Sequence, residues 1–314
     1  MTNKHSIRSM LKTLKVNNFT WIDIKHPDTN DVEFLRYNFA LKPTVLNKII
    51  PPLKRSEAEQ YENYLFVILH FPVYNHKKRQ NHSSELDVII MRDVIITSHN
   101  GDFLEVEKFF ECCKEGDCFK YKYLGKGTSH LFYHLIDTLI DARLPMLDHI
   151  NENIAAIEER MFKGKEKELL NEISITKRDI IDFRSIVKPQ RSVLEAAGKR
   201  LKTLSPMLDH ERHLEEVVGS NIKIWNTLEN QKEMIEAIET SNETLLSYKL
   251  NETMKILTVV SVIFTPMALI ANIWGMNFEN TPFGNNPFGF WIVLLLSFFT
   301  GVTLTIFFKF KKWL

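Results

Sequence analysis

Two uncharged apolar runs, Ile256–Trp274 and Phe288–Phe308, constrain this chain more than any other feature. Each is about 20 residues long, the length a helix needs to cross the hydrocarbon core of a bilayer. A helix of that length in a soluble core normally carries a charged face, and neither run does. Lys249 and Lys255 precede the first run and Lys309, Lys311 and Lys312 follow the second, while the segment between them holds Glu279 and no Lys or Arg. By the positive-inside rule both termini are expected on the cytosolic side.

The first run has a polar stripe. At about 100° per residue, Asn251, Thr258, Ser261, Thr265 and Asn272 fall within an arc of about 80°, with Met254 on the same side. Periodicity leaves two readings open. Ser, Thr and Asn bond across helix–helix contacts in membranes, and they also line polar pathways. Two helices cannot enclose a pore, so the second reading requires an oligomer. Pro266 lies inside the run and frees a backbone carbonyl near Val262, which neighbours or water must satisfy.

Ahead of the anchor the pattern changes. Residues 1–124 read as an α/β domain, with β-rich runs at Trp21–Ile24, Tyr64–Phe71, Leu86–Met91 and Val94–Ser98 and helical spacing at Asp31–Phe39 and Glu105–Cys113. Arg92-Asp93 reads as a hairpin turn, and Thr128 as the cap of the helix after the Gly125-Lys126-Gly127 linker. Residues 125–250 read as a helical domain that includes the lower part of a long helix, with breaks expected near Gly164, Pro189, Gly198 and Pro206. Residues 251–314 form the two-helix membrane part. Leu214, Val217, Trp225, Leu228, Ile235, Ile238 and Leu245 recur at helical intervals, so one helix is expected from about Asp209 to Trp274, about 100 Å at 1.5 Å per residue. The fold class is therefore an α+β membrane protein with an α/β domain, a long helical stalk and two C-terminal spans.

Several function classes find little support. The 40 basic and 39 acidic residues are interleaved, which leaves no nucleic-acid footprint. Cys112, Cys113 and Cys118 are too close and too odd in number for a secreted disulfide framework, and are expected reduced. The first fifteen residues are basic but lack the apolar core of an export signal. His210-Glu211-Arg212-His213 has its histidines three apart, where a zinc-protease helix needs four, and reads as a solvated charged face. Glu158, Glu159, Asp179 and Asp182 read as ion-pair partners. An enzyme is not expected, nor is a bound cofactor.

After the first run comes Trp274-Gly275-Met276-Asn277-Phe278-Glu279. This resembles the Tyr-Gly-Met-Asn-Phe-Glu signature of the CorA family of magnesium transporters, with Trp274 in place of the tyrosine. The likeness extends through Asn251-Glu252-Thr253-Met254-Lys255-Ile256-Leu257-Thr258, Ile263-Phe264-Thr265-Pro266, the terminal Lys311-Lys312-Trp313-Leu314, and Tyr61-Glu62-Asn63-Tyr64-Leu65-Phe66 in the soluble part. It implies a homopentamer in the bacterial cytoplasmic membrane that carries Mg²⁺ or a related divalent cation passively, driven by the membrane potential. It further implies that Asn251, Met254, Leu257, Thr258, Ser261 and Thr265 line the pore. Gly275, Met276 and Asn277 would form the selectivity signature, with Asn277 contacting hydrated Mg²⁺ at the outer mouth. Paired acids sense Mg²⁺ at the family's subunit interface; Asn75 and Glu216 align there, so half of that sensor is expected to be missing. A zinc transporter of the related ZntB type, which shares the fold and the signature, is the alternative within the family, as is a preference for cobalt or nickel. A two-span signalling or scaffold protein is the alternative from another class.

Overall fold

The computed structural model describes residues 10–16, 19–75, 80–115, 127–204, 209–276 and 287–313. A six-stranded sheet occupies the first part of the chain, formed by β1 (Met10–Val16), β2 (Phe19–Lys25), β3 (Glu57–Gln60), β4 (Leu65–Asn75), β5 (Gln80–Ile90) and β6 (Val94–His99). Its order is β1-β2-β6-β5-β4-β3, antiparallel except for the parallel pair β2–β6. That pair needs a crossover, and the intervening helices and hairpin supply it.

Alternation along the strands divides the side chains between two buried faces. Ile22, Ile24, Phe66, Ile68, Ile89 and Ile96 pack against Val32 and Leu35 of α1 (Thr29–Asn38) and Val45, Leu46 and Ile49 of α2 (Pro43–Ile49). Asp28 starts α1 with a reciprocal capping box, accepting from the Asp31 amide while the Asp31 carboxylate accepts from its own amide. On the other face Trp21 packs against Phe109 and Phe110 of α3 (Leu104–Glu115), and its indole N–H donates to Thr97 Oγ1 at 3.0 Å.

The remaining helices among the described residues are α4 (Thr128–Asp141), α5 (Leu144–Met161), α6 (Glu166–Leu204), α7 (His210–Gly275) and α8 (Gly289–Phe310). Three local expectations need correction. Thr128 is not the cap of α4: Gly127 occupies that position at φ 103°, and the Thr128 hydroxyl donates to the Met91 carbonyl at 2.8 Å, tying the helix to the β5–β6 turn. Pro189 does not break α6, because Ile186, Val187, Val193 and Leu194 are buried on both sides of it and hold the helix through one missing hydrogen bond. Gly198 does not break α6 either. A Cβ there would stand 2.5 Å from Leu214 Cδ1, so the glycine is what lets α7 approach α6 closely. Pro206 lies outside the described residues.

The chain divides into two compact units, Met1–Ile238 and Glu239–Leu314. In the first unit α7 buries Val217, Asn221, Ile224, Leu228, Gln231, Ile235 and Ile238, a strict alternation of four- and three-residue steps. The sequence periodicity named Trp225 where the buried residue is Ile224, because the stripe passes through polar residues. Their amide nitrogens are paired: Asn221 donates to Gln190 Oε1 at 2.8 Å, and Gln231 donates to Leu147 O at 2.8 Å and Asn151 Oδ1 at 3.0 Å, while Gln231 Oε1 is buried without a partner.

Candidate functional site

In the second unit the last part of α7 packs against α8. Gly301 of α8 is buried, and a Cβ there would lie 2.8 Å from Met267 Sδ of α7, so a small residue permits the close approach. Val259 is 1 % exposed, and an apolar groove is lined by Ile263, Phe264 and Met267 on α7 and by Val302, Thr305 and Ile306 on α8. On the helical wheel Val259, Ile263 and Met267 lie on the side opposite the polar stripe. Within one chain, then, the stripe is not the glue between the two spans.

Asn251, Met254, Leu257, Thr258, Ser261, Thr265 and Asn272 are all exposed on the single chain. The hydroxyls share one arrangement. Thr258 Oγ1 donates to Met254 O at 2.7 Å, Ser261 Oγ to Leu257 O at 2.9 Å, and Thr265 Oγ1 to Ser261 O at 2.7 Å. Each hydroxyl proton is used within the helix, so what the stripe presents outward is oxygen lone pairs. Such a surface accepts hydrogen bonds from water, and water around a cation points its protons outward. Leu257 and Met254 add apolar girth at the end of the span nearer Lys249 and Lys255.

Gly275 ends α7 and Met276 is exposed. Asn277 lies outside the described residues. Asn75 ends β4, paired with Gln80, and its side chain is also outside them. Glu216 is an exposed residue of α7 whose carboxylate accepts from Arg212 Nε at 3.0 Å and lies 3.3 Å from His213 Nδ1. The Arg212 guanidinium holds that carboxyl below its ordinary range, with His213 contributing.

One expectation fails outright. His210 is not on a solvated face: it is 5 % exposed, its Nε2 stands 2.7 Å from Gly198 O, and its ring packs on Tyr133. His213 joins His130 and His134 of α4 in a histidine cluster that the spacing of His210 and His213 did not reveal. The available signal was His130-x-x-x-His134, the four-residue step that places two imidazoles on one helical face. Among the described residues no group of three or more His, Cys, Asp or Glu is placed to hold a metal ion.

A chain with an α/β domain, two helices long and apolar enough to cross a bilayer, and an open lone-pair stripe on the first of them defines a two-span membrane protein with an oxygen-lined face. The family described as CorA-like Mg²⁺ transporter protein matches residues 16–312. The chain belongs to that family of membrane transporters. It is 28 % identical over 299 residues to the cobalt/magnesium transport protein CorA of Thermotoga maritima, covering 94 % of this chain and 83 % of the relative. The zinc transport protein ZntB of Pectobacterium atrosepticum is 20 % identical over 72 % of this chain and 67 % of its own. Among solved structures, the complete CorA magnesium transporter of Methanocaldococcus jannaschii superposes with a TM-score of 0.82 at 19 % identity, covering 95 % of this chain and 92 % of that one. The fold, with its N-terminal α/β domain, long helix and two C-terminal apolar helices, is the CorA fold.

Proposed function

We propose that the chain assembles as a homopentamer in a bacterial cytoplasmic membrane, both termini cytosolic, and conducts Mg²⁺ passively down its electrochemical gradient. The observation that carries this reading is the outward lone-pair stripe of Thr258, Ser261 and Thr265, left open on the face of α7 opposite α8. Five such stripes around an axis make a tube of neutral oxygens. Mg²⁺ gives up its water reluctantly, so an uncharged acceptor wall suits passage of the hydrated ion. Carboxylates in the same place would hold it too tightly to release quickly. Asn277, presented by Gly275 and Met276 beyond the end of α7, supplies the selective contact through its amide oxygen, and Leu257 and Met254 form the apolar constriction.

Regulation differs from a sensor built of paired acids. With Asn75 in place of one acid and Glu216 already paired with Arg212, the site holds a cation weakly and shifts the closed–open balance little. Restoring the charge with Asn75→Asp should close the channel at lower Mg²⁺, read by protease protection; an unchanged threshold removes Asn75 from the sensor.

The test of the pore assignment is flux in proteoliposomes with Mg²⁺, Co²⁺ and Zn²⁺ compared side by side. Asn277→Ala should abolish Mg²⁺ flux while the oligomer remains intact on gel filtration. Normal uptake by that variant refutes the role given to Asn277. Zn²⁺ flux without Mg²⁺ flux assigns the chain the activity of its ZntB relative, and no conductance to any of the three favours a scaffold.

A further inference from the structure

We propose that His130, His134 and His213 form a binding site, outside the membrane spans, for one nitrogen-preferring divalent cation of the zinc, cobalt or nickel class. His130 and His134 occupy successive turns of α4, and their Nε2 atoms stand 3.3 Å apart. Two imidazole nitrogens bound tetrahedrally to one zinc ion at about 2.0–2.1 Å are themselves about 3.3 Å apart, so the nitrogen spacing of the pair matches a metal chelate, with ring centroids 4.4 Å apart. The His213 ring of α7 lies 5.4 Å from that of His130 and 5.6 Å from that of His134, centroid to centroid. Rings ligated to one tetrahedral ion have centroids about 5 Å apart by the same bond lengths.

The rest of the cluster is arranged to serve such an ion. His213 Nδ1 is 3.3 Å from Glu216 Oε2, which fixes that nitrogen toward a carboxylate and leaves Nε2 for a metal, the usual support of a ligating imidazole. Tyr133 lies beside His213 with ring centroids 6.2 Å apart and ring planes 19° apart. Asp137 is one turn beyond His134 and within electrostatic reach of Asp141, Glu216 and His213; burial first, then the two neighbouring carboxylates, push its carboxyl up. A bound cation relieves that repulsion. Among the described residues no three such donors are placed to hold a metal ion, so the site requires His213, whose side chain is one-fifth exposed, to turn its Nε2 toward the His130–His134 pair, with water in the fourth position.

Imidazole selects against Mg²⁺ and for zinc, cobalt and nickel, so this site is chemically separable from an oxygen-lined pathway. Occupancy ties α4 to α7, the helix that continues into the first span. The inference does not depend on what the pore conducts.

The experiment is a Co²⁺ titration of the full-length protein in detergent, followed by visible ligand-field absorption, with Zn²⁺ and excess Mg²⁺ as competitors. The expected result is one Co²⁺ per chain with the intense bands of a tetrahedral nitrogen site, displaced by Zn²⁺ and not by Mg²⁺. His134→Ala and His213→Ala should each weaken binding by more than about 100-fold, beyond what loss of an outer partner of a metal ligand costs. Asn277→Ala should retain the Co²⁺ spectrum whatever it does to flux. His130 is buried, so His130→Gln tests folding as much as binding; His134→Ala, at a partly exposed position, decides. Its melting temperature without metal should match the parent, and only the parent should gain stability from Zn²⁺. The weak bands of octahedral Co²⁺, displacement by Mg²⁺, no saturable binding, or unchanged affinity in His134→Ala would each overturn the proposal.

Discussion

Lys255 Nζ donates to the backbone carbonyl of Lys312 at 2.9 Å, joining residues 57 apart in sequence. The contact puts the start of the first apolar run beside the end of the second, and so gathers Lys255, Lys309, Lys311 and Lys312 at one end of the two-helix unit. With all the basic residues at that end, the positive-inside rule has a single solution. A green fluorescent protein fused after Leu314 should fluoresce, and alkaline phosphatase fused after Asn285 should be active. The opposite pattern reverses the orientation.

The back-bonded hydroxyls predict a graded loss of conduction. Thr258→Val and Thr265→Val keep the volume and remove the oxygen, each deleting an interaction of about 1 kcal/mol with a passing hydrated ion, or about fivefold in rate per substitution. Because these positions are exposed on the single chain, its thermal stability should change by less than about 0.5 kcal/mol. Full Mg²⁺ flux in the double variant shows that the stripe does not line the path.

Gly198 is expected to be intolerant of any side chain. Its Cβ would meet both methyls of Leu214 at 2.5 and 2.6 Å and the branch carbon at 3.0 Å, so the half-buried leucine must shift as a whole to clear it. Gly198→Ala should cost about 1–3 kcal/mol in overpacking, despite the gain in helix propensity. Gly219→Ala, where a Cβ meets nothing within 4 Å, should instead stabilise α7 by about 0.5–1 kcal/mol. Chemical denaturation of the two variants distinguishes the signs; equal effects would place α6 and α7 further apart than described.

Asp87 predicts a pH signature. Burial, then the neighbouring Glu85 charge, push its carboxyl well above the ordinary range, with Lys54 opposing, so the folded chain holds a proton there that the unfolded chain releases. Between the ordinary aspartate range and the raised folded value, the native state binds more protons, and stability falls as pH rises. Asp87→Asn removes this dependence. Its melting temperature relative to the parent should rise from pH 4 to pH 7; a constant difference would mean that Asp87 is charged in the fold.

What the sequence made legible follows from which signals are local. The two spans, the long α7 and strands such as β4 and β6 carry strong hydropathy or β-branched patterns, and all were visible. β3 was not, because Glu57-Ala58-Glu59-Gln60 has no alternation and is a strand only through pairing with β4. Pro189 and Gly198 misled for the opposite reason: their local preference for a break is overridden by burial on either side and by Leu214. In the candidate pathway the stripe was legible at single-residue level, but its freedom from α8 was not, since that depends on Met267 facing Gly301. The histidine cluster needed α4 and α7 brought together, which no window of sequence contains.

The central claim is passive conduction, and the most direct measurement is Mg²⁺ entry into proteoliposomes under an imposed potassium diffusion potential, with no nucleotide present. An inside-negative potential of about 100 mV contributes about 4.6 kcal/mol to a divalent ion, enough for roughly three orders of magnitude of accumulation. The account predicts uptake that begins when the potential is applied, rises with its size and stops when it is collapsed. Uptake that ignores the potential and requires ATP would contradict it.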